Sequence, residues 1–321
     1  MNTLSIGKFR GLQQCATPNG TFTCLALDHR QNLRRALNPS DPSAVGDPEL
    51  TGFKLEVTAA LADKATAVLL DPEYSAAQAI AAGILPTKTG LVVALESTGY
   101  TGDPSARGSQ LLPGWSVEKA RRMGADMVKL LVYFHPEAPT AGDIEVFVDQ
   151  VAQACLRQDL GLMLEPLSYS LHADRKLDSS EKRQVVVETT RRLTLPGVDI
   201  LKAEFPLDPV AVPNESDWAK ACTEISSASR APWILLSAAI NYQTYLRQVA
   251  IACRAGASGI AVGRAVWQEA VELRGAARVS FLKDVARPRL ERLAALCAEL
   301  GKPWTDFYAP PEIQSEWYKT Y

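Results

Sequence analysis

The chain has 321 residues, of which 47% are apolar and 22% charged, an ordinary composition for a globular protein. Its formal net charge of −2 leaves no basic field for nucleic acid and no polybasic patch for anionic lipid. The N-terminus lacks the apolar core of a secretory signal, and no apolar run approaches the length of a membrane span. These features predict a cytoplasmic protein that binds neither nucleic acid nor membrane.

The cysteines and histidines argue against a disulfide framework and against a zinc site. The six cysteines form no Cys-x-x-Cys pair, and several lie inside apolar segments, as is typical of reduced thiols in a cytosolic protein. The histidines, at positions 29, 135 and 172, show no zinc-ligand spacing. A zinc-dependent mechanism therefore has little support, and nothing in the sequence leads us to expect a metal site or a cofactor.

Eight short apolar runs alternate with stretches of helical periodicity along the chain. Runs that are apolar on both faces are typical of parallel strands covered by helices, and strand alternating with helix indicates βα units. Eight such units predict an α/β fold, a single (β/α)8 (TIM) barrel that forms one domain over residues 1–321. The predicted strands are Phe22–Leu27, Ala67–Leu70, Leu91–Leu95, Met127–Val132, Leu162–Leu164, Ile200–Ala203, Trp233–Leu236 and Gly259–Val262.

Helix ends and the C-terminal segment can also be predicted. Ser116 is a plausible N-cap and Gly124 a plausible stop for the helix between them. Residues 276–300 form a long helical region that Pro288 either breaks or restarts. The tail, 301–321, is too rich in aromatic residues for a disordered segment, so we expect it to pack across the barrel or into a neighbouring subunit.

Nearly every predicted strand ends in a charged or small polar residue. In a barrel these ends meet at one mouth, where active sites lie. One carboxylate there is often only a turn former, our interpretation of Asp71, but a ring of them is harder to explain in this way. The loop 97–114 would lie over this mouth, either as a substrate lid or as a flexible loop. The strand-end residues are Asp28-His29-Arg30, Asp71, Glu96, Glu165, Ser237 and Gly263-Arg264.

A lysine interrupts the apolar sixth strand. Because an ammonium is expensive to desolvate, Lys202 must be paired, uncharged or used in chemistry. A desolvated, uncharged amine is what imine formation with a carbonyl substrate requires. Taken alone, such a residue is more often a lysine that buries its stem and extends its head to water. Its neighbours favour the chemical interpretation.

Lys129 on the fourth strand and Glu165 at the end of the fifth are expected beside Lys202. Adjacent barrel strands bring inward-facing residues together, and a second ammonium would favour the uncharged, nucleophilic form of Lys202. A carboxylate there can carry protons to and from the substrate. The alternative is a buried Lys–Glu pair that only supports the core, and such pairs are seldom an economical source of stability.

The loops after the seventh and eighth strands indicate an anion site. These loops commonly bind phosphate in barrels. Glycines at 256, 259 and 263 allow backbone N–H groups to approach an anion, and Arg264 can bind it bidentately. Glycines alone indicate only a turn, but Gly263 followed by Arg264, with Ser237 nearby in the barrel, favours phosphate binding.

Several segments together resemble the tagatose 1,6-bisphosphate aldolases and their sister group, the sulfofructose-phosphate aldolases. The resemblance extends from about Leu25 to Trp267 and implies a metal-independent class I aldolase that forms a homo-oligomer. It is carried by residues 26–30, 69–74, 97–100, 128–133, 164–167, 199–204, 236–238 and 263–267.

The resemblance also implies a role for each site residue. Lys202 would form the Schiff base with the ketose C2, Glu165 would be the acid and base, and Lys129 would lie beside them. The implied substrate contacts are Ser237, Gly263 and Arg264 to the C1 phosphate, Asp28 to sugar hydroxyls, and Arg30 to the distal anionic group.

The chain departs from the family pattern at two positions. His29 stands where the family usually has glutamine, and it could bond the same hydroxyl or change which sugar fits. Ala239 replaces the glycine that usually follows Ser237-Ala238, and its methyl group could narrow the phosphate loop.

The sequence therefore predicts cleavage of a ketose bisphosphate, with tagatose 1,6-bisphosphate preferred, to dihydroxyacetone phosphate and glyceraldehyde 3-phosphate. One alternative is 6-deoxy-6-sulfofructose 1-phosphate, which would give sulfolactaldehyde in place of glyceraldehyde 3-phosphate. A second is a non-catalytic sugar-phosphate sensor, against which the Lys–Glu–Lys set argues because a binder needs no amine.

Overall fold

The computed structural model describes residues 2–172, 174–319 and 321, and its central feature is a closed barrel of eight parallel strands. The first barrel strand pairs with the last, which closes the sheet. The predicted α/β barrel is thus confirmed. The strands are β1 (Asn2–Thr3), β2 (Phe22–Ala26), β3 (Ala67–Leu70), β4 (Gly90–Ala94), β5 (Thr101–Asp103), β6 (Ala106–Gly108), β7 (Met127–Phe134), β8 (Gly161–Ser168), β9 (Ile200–Ala203), β10 (Trp233–Leu236), β11 (Gly259–Val262) and β12 (Tyr308–Ala309).

All eight predicted strands are present, and two of them are longer than predicted. β7 continues to Phe134 and β8 to Ser168, and the two pair with each other along their whole length. The apolar pattern of β8 is broken by Glu165 and Pro166, so the sequence alone ended it too early. The extension carries the wall of the barrel beyond Glu165 toward the mouth.

Helices cover the outside of the barrel between successive strands. Ser116 caps its helix by accepting a hydrogen bond from the Lys119 N–H, and Gly124 ends that helix at φ 98°, as predicted. The region 275–300 contains two α-helices joined by a π-helical turn, and Pro288 lies in the first turn of the second. The helices are α1 (Ile6–Cys15), α2 (Gln31–Leu37), α3 (Asp47–Leu61), α4 (Ala76–Ala81), α5 (Val117–Met123), α6 (Ala141–Arg157), α7 (Ser179–Leu193), α8 (Glu215–Ala228), α9 (Tyr242–Arg254), α10 (Arg264–Trp267), α11 (Gly275–Phe281) and α12 (Arg287–Leu300).

Alternation along the strands decides which side chains face the barrel interior. In β9, Ile200 belongs to the apolar cluster inside the barrel, whereas Leu201 belongs to the layer between the sheet and the helices. Because successive strand residues point to opposite faces, Lys202 points inward above Ile200. The same alternation turns Lys129 and Glu165 inward on β7 and β8.

The N-terminal end of the barrel is closed by α1 and by the aromatic tail. β1 pairs in parallel with β12, and Trp304 packs edge-on against Phe9 with ring centroids 5.0 Å apart. Under them the buried Lys8 Nζ lies 2.8 Å from Asp199 Oδ2. Chemistry is therefore left to the opposite, C-terminal mouth.

Candidate active site

Lys202 and Lys129 share one carboxylate oxygen inside the barrel. Glu165 Oε2 lies 2.8 Å from Lys202 Nζ and 2.9 Å from Lys129 Nζ. The two lysines are 4% and 1% exposed, and Glu165 is 7% exposed. The structure therefore brings together the three residues that the sequence proposed for catalysis.

Lys129 is held by three carboxylates, two from the segments that follow β2 and β4 and one from within β8. Its Nζ lies 2.8 Å from Asp28 Oδ2 and 2.6 Å from Glu96 Oε1, in addition to its contact with Glu165. Burial lowers the pKa of Lys129, but the three carboxylates outweigh burial and hold this pKa well above its ordinary value. Lys129 is therefore a permanent cation next to Lys202.

Two of the carboxyl groups around the lysines, those of Glu165 and Asp28, are ionised at neutral pH. Burial raises the pKa of Glu165, but the Lys129 and Lys202 ammonium groups outweigh it, and the net pKa lies below the ordinary value. Burial likewise raises the pKa of Asp28, which Lys129, Lys202 and His29 together bring well below its usual range. Glu165 can therefore accept a proton before it has to donate one.

Glu96 is the residue of this cluster whose role the sequence analysis missed. It was noted as a strand-end carboxylate but was given no part in the chemistry. Its Oε1 contacts Lys129, and its Oε2 accepts a hydrogen bond from the Leu131 N–H at 3.0 Å. Strand-end position was the available signal, and only the closure of the barrel shows which cation the carboxylate binds.

His29 lines the same cavity as Lys202, and its imidazole is neutral. Burial lowers its pKa to about 3, and the opposing charge of Asp28 does not restore it. The ring packs edge-on against Trp267 with centroids 5.4 Å apart. Its Nδ1 is buried and has no hydrogen-bond partner among the residues that the structure describes. His29 thus lines the cavity of Lys202 with an uncharged ring, and its contact with substrate stays a prediction.

The predicted anion-binding residues line the same cavity as Lys202. This cavity has a volume of about 250 Å³, and Glu165, Ser237, Gly263 and Arg264 all contribute to its wall. The Gly263 N–H donates to Ser237 Oγ at 3.3 Å. Arg264 opens the short helix α10, and within the described parts of the chain it has no ion pair. Its charge is therefore available to an anionic ligand.

Glycine is required at position 263 because other groups leave no room for a side chain. A Cβ there would lie 2.9 Å from the Ala26 carbonyl oxygen and 3.0 Å from His29 Cε1. The backbone can therefore approach a ligand at this point, as an anion-binding loop requires.

The loop after β10 has left-handed backbone at two alanines. Ala238 has φ 43° and Ala239 has φ 58°. A side chain in this region costs about 1–2 kcal/mol, which glycine avoids. This conformation gives a physical reason for the glycine that the family usually has at position 239.

Arg30 lies behind the carboxylate ring. Its Nη1 is 2.8 Å from Glu73 Oε2, its Nη2 donates to the Glu96 carbonyl oxygen at 2.6 Å, and the residue is 5% exposed. A contact with a distal substrate anion, as the sequence analysis suggested, would require these bonds to break. As found, Arg30 supports Glu96.

Two other strand-end features are now defined. Asp71 forms a turn, as predicted, because its Oδ1 accepts hydrogen bonds from the Glu73 and Tyr74 N–H groups at 3.0 and 2.7 Å. The loop 97–114 contains the antiparallel hairpin of β5 and β6 and lies over the mouth. Whether it acts as a lid stays a prediction.

Comparison with known proteins identifies the family. Residues 22–269 match the model described as "DeoC/LacD family aldolase". The chain belongs to the DeoC/LacD aldolase family. This assignment confirms both the resemblance stated from the sequence and the prediction of an aldolase, a carbon–carbon lyase.

Relatives within the aldolases match along nearly their full length. The chain is 31% identical to tagatose 1,6-diphosphate aldolase 2 of Enterococcus faecalis, over 95% of this chain and 97% of that protein. It is 27% identical to tagatose 1,6-diphosphate aldolase of Streptococcus agalactiae, over 93% of this chain and 98% of that protein.

Solved structures share the fold at lower identity. A fructose-bisphosphate aldolase from Plasmodium falciparum superposes with a TM-score of 0.72 at 13% identity, over 94% of this chain and 98% of that chain. A Schiff base-forming fructose-1,6-bisphosphate aldolase superposes with a TM-score of 0.59 at 21% identity, over 90% and 99%. Among the described residues of this aldolase, no helix is long and apolar enough to cross a membrane.

Proposed function

We propose that the protein is a Schiff-base aldolase that cleaves tagatose 1,6-bisphosphate to dihydroxyacetone phosphate and glyceraldehyde 3-phosphate. The observation that carries this proposal is the position of Glu165 Oε2 between the Lys202 and Lys129 ammonium groups, 2.8 and 2.9 Å away. This arrangement joins a buried amine to its proton acceptor inside a cavity with an anion-binding loop. The choice of tagatose 1,6-bisphosphate as the sugar rests on the names of the relatives.

In the proposed reaction, Lys202 first becomes covalently attached to the substrate. Glu165 takes a proton from the Lys202 ammonium, and the free amine attacks the ketose C2 to give a carbinolamine. Glu165 then returns the proton to the C2 hydroxyl, which leaves as water. The product is a protonated imine, which can accept an electron pair.

Carbon–carbon cleavage follows in the same cavity. Glu165 removes the proton of the C4 hydroxyl, the C3–C4 bond breaks, and its electron pair moves into the imine to form an enamine. The aldehyde leaves, C3 takes up a proton, and water releases dihydroxyacetone phosphate from Lys202. Each well-placed proton transfer contributes about 10²–10⁴ in rate.

Lys129 acts in this scheme as a fixed positive charge. Since Asp28, Glu96 and Glu165 keep it protonated, it places a second positive charge beside Lys202. It also stabilises Glu165 as a carboxylate, the form that accepts the first proton. Lys129 therefore prepares Glu165 for the first step, without itself forming a bond to substrate.

At the C1 end we propose that Ser237, Gly263 and Arg264 hold the phosphate. The three line the cavity of Lys202. The Arg264 guanidinium and the Ser237 hydroxyl can donate to an anion, and the Gly263 N–H can do so in place of its present bond to Ser237 Oγ. Asp28 and His29, which follow the neighbouring strand β2, are proposed to contact sugar hydroxyls.

Trapping with borohydride tests the proposal directly. We expect that borohydride with tagatose 1,6-bisphosphate and a chelator inactivates the enzyme and leaves a reduced adduct on Lys202, detected by peptide mass. Lys202→Ala should lose turnover and trapping together, whereas a sugar-phosphate sensor would retain its binding response without this amine. Inactivation that leaves Lys202 unmodified would disprove the mechanism.

The same assay separates the two candidate sugars. 6-Deoxy-6-sulfofructose 1-phosphate carries a sulfonate with one charge where the bisphosphate carries a phosphate with nearly two. Side-by-side kcat/KM values for the two substrates decide between them. The predicted homo-oligomer and cytoplasmic location belong to this proposal as well, and light scattering of the purified protein tests the first of them.

A further inference from the structure

A second cavity, of about 510 Å³, adjoins the lysine cavity at the mouth of the barrel. The two cavities share part of their walls, so a ligand bound to Lys202 can extend from one into the other. The shared residues are Glu204, Leu236, Ser237 and Ala238. Cationic side chains outnumber carboxylates in the wall of the second cavity: Arg107, Arg175, Lys176 and Lys182 against Glu204 and Asp208.

Arg107 is held in this wall by aromatic rings. Its guanidinium carbon lies 4.4 Å from the ring centroid of Tyr100, 4.7 Å from that of Tyr169 and 5.5 Å from that of Tyr133. Cation–π contacts restrict a guanidinium without neutralising its charge. The aromatic rings therefore position a full positive charge at the mouth.

The two terminal nitrogens of this guanidinium remain free. Arg107 Nε donates to the Pro104 carbonyl oxygen at 3.0 Å. Within residues 2–172, 174–319 and 321, its two terminal nitrogens have no hydrogen-bond acceptor and the residue has no ion pair. Two parallel N–H donors are the arrangement that binds an oxyanion bidentately.

The backbone of Arg107 is fixed as well. Its N–H donates to the Tyr169 hydroxyl at 3.2 Å, and its carbonyl oxygen accepts from Thr140 Oγ1 at 3.1 Å. These bonds attach strand β6 of the hairpin to the barrel wall. A ligand would therefore meet a preorganised cation and would lose less free energy in ordering it.

Arg175 and Arg30, two other arginines near the mouth, are already neutralised. Both terminal nitrogens of Arg175 bond to Glu181, and its side chain is 44% exposed. Arg30 is buried against Glu73 and Glu96. Arg107 is thus the arginine of this cavity whose charge is both unpaired and held in one place.

Arg107 lies above the catalytic lysines along the barrel wall. Tyr133 follows Lys129 by four residues within β7, which places it on the inward face about 13 Å further along that strand, and Tyr169 directly follows the end of β8. These two rings therefore hold Arg107 on the mouth side of the catalytic residues. Because the two cavities share Glu204, Leu236, Ser237 and Ala238, the far end of a sugar whose C1 phosphate lies at Gly263 can enter the second cavity.

We infer that Arg107 binds the anionic group at the far end of the ketose phosphate, a phosphate or sulfonate, and so selects substrates that carry a second oxyanion. The inference rests on the proposed aldolase function. It assigns the distal end of the substrate to the second cavity, where the terminal nitrogens of Arg107 bind two of its oxygens.

Paired substrates test the inference. Steady-state cleavage is measured for the wild type and for Arg107→Ala with tagatose 1,6-bisphosphate and with tagatose 1-phosphate, which lacks the distal anion. Loss of a charged hydrogen-bonded contact should raise KM for the bisphosphate about 10–100-fold. KM for the 1-phosphate should change by less than about two-fold, since it has no group to lose. A third arm with 6-deoxy-6-sulfofructose 1-phosphate shows whether a sulfonate uses the same contact.

Arg289→Ala is the matched control. Arg289 also lies over two rings, 5.1 Å from Tyr242 and 5.7 Å from Phe281, but on the outer helices. Arg289→Ala should leave both KM values unchanged.

An equal rise in KM for both substrates in Arg107→Ala would make Arg107 a purely structural residue. An unchanged KM for the bisphosphate would overturn the inference while the aldolase proposal stood. If the wild type cleaved neither substrate and formed no adduct with borohydride, the proposed function itself would fail.

Discussion

Lys129 Nζ lies 2.6 Å from Glu96 Oε1, although the two residues come from different strands and their relation was not evident from the sequence. Through this contact Glu96 joins Asp28 and Glu165 around one buried ammonium. Lys202, the proposed catalytic amine, is therefore adjacent to a charge that the protein has fixed with three carboxylates. The first two predictions follow from this arrangement.

Glu96→Gln should lower kcat about 10-fold or more with little change in KM. The substitution keeps the shape of the side chain but removes one of the charges that hold Lys129, and a charged hydrogen bond is worth about 1.5–3 kcal/mol. Steady-state kinetics across pH would measure the effect. Glu73→Gln, which removes a partner of Arg30 and not of Lys129, is the control and should keep kcat. An unchanged kcat in Glu96→Gln would show that Asp28 and Glu165 suffice.

Lys129→Met should abolish turnover and destabilise the fold. Without the ammonium, Asp28, Glu96 and Glu165 would repel one another, with only Lys202 left beside Glu165 and Arg30 beside Glu96, and removing one partner of a buried pair costs about 3–5 kcal/mol. Urea unfolding would measure the loss. Adding Glu96→Gln to Lys129→Met should restore part of the stability but no activity, because it removes a repelling charge without replacing the cation. Equal stability of the single and double variants would contradict the electrostatic explanation.

His29 should make the wild type lose stability as the pH falls below about 6.5. The pKa of His29 is lowered to about 3 in the folded protein, so between these values the unfolded chain binds a proton that the folded protein does not. The predicted loss approaches about 3 kcal/mol by pH 4. His29→Gln removes the titrating group, and its unfolding free energy should fall less steeply over this range. Parallel pH profiles for the two proteins would rule out this origin.

Gly263→Ala should weaken substrate binding by raising KM about 10-fold or more. The added Cβ would meet the Ala26 carbonyl oxygen at 2.9 Å and His29 Cε1 at 3.0 Å, which displaces the backbone from the proposed phosphate site. Steady-state kinetics would show this change. Gly142→Ala is the control: its Cβ would meet no atom within 4 Å, and the position lies in helix α6, where alanine is favoured by up to about 1 kcal/mol. A normal KM in Gly263→Ala would remove this glycine from the site.

Prediction succeeded where the signal was local. The two-residue alternation of β9 turns Lys202 inward, and the same rule turns Glu165 and Lys129 toward it. Cap chemistry placed the start and stop of α5 at Ser116 and Gly124. These features depend on neighbours within a few residues, so a single sequence contains the information.

Prediction fell short where a side chain has several possible partners. Arg30 could have faced the substrate or the core, and its burial against Glu73 and Glu96 depends on how α2 and the β3 and β4 loops meet. No sequence pattern singled out Arg107, because the three tyrosines that contact it come from separate segments. These segments are the loop 97–114, strand β7 and the residue after β8.

The order of strands and helices, and hence the barrel with Lys202, Lys129 and Glu165 inside it, was determined by the amino-acid sequence itself, because hydrophobic periodicity is read within each segment. The tertiary structure decided which carboxylates surround Lys129 and that Arg107, in the second cavity, keeps its charge unpaired. Asp28 and Glu165, for example, are 137 positions apart in the sequence, yet both contact Lys129. Such meetings arise only when the barrel closes and fixes the height of each strand against the next.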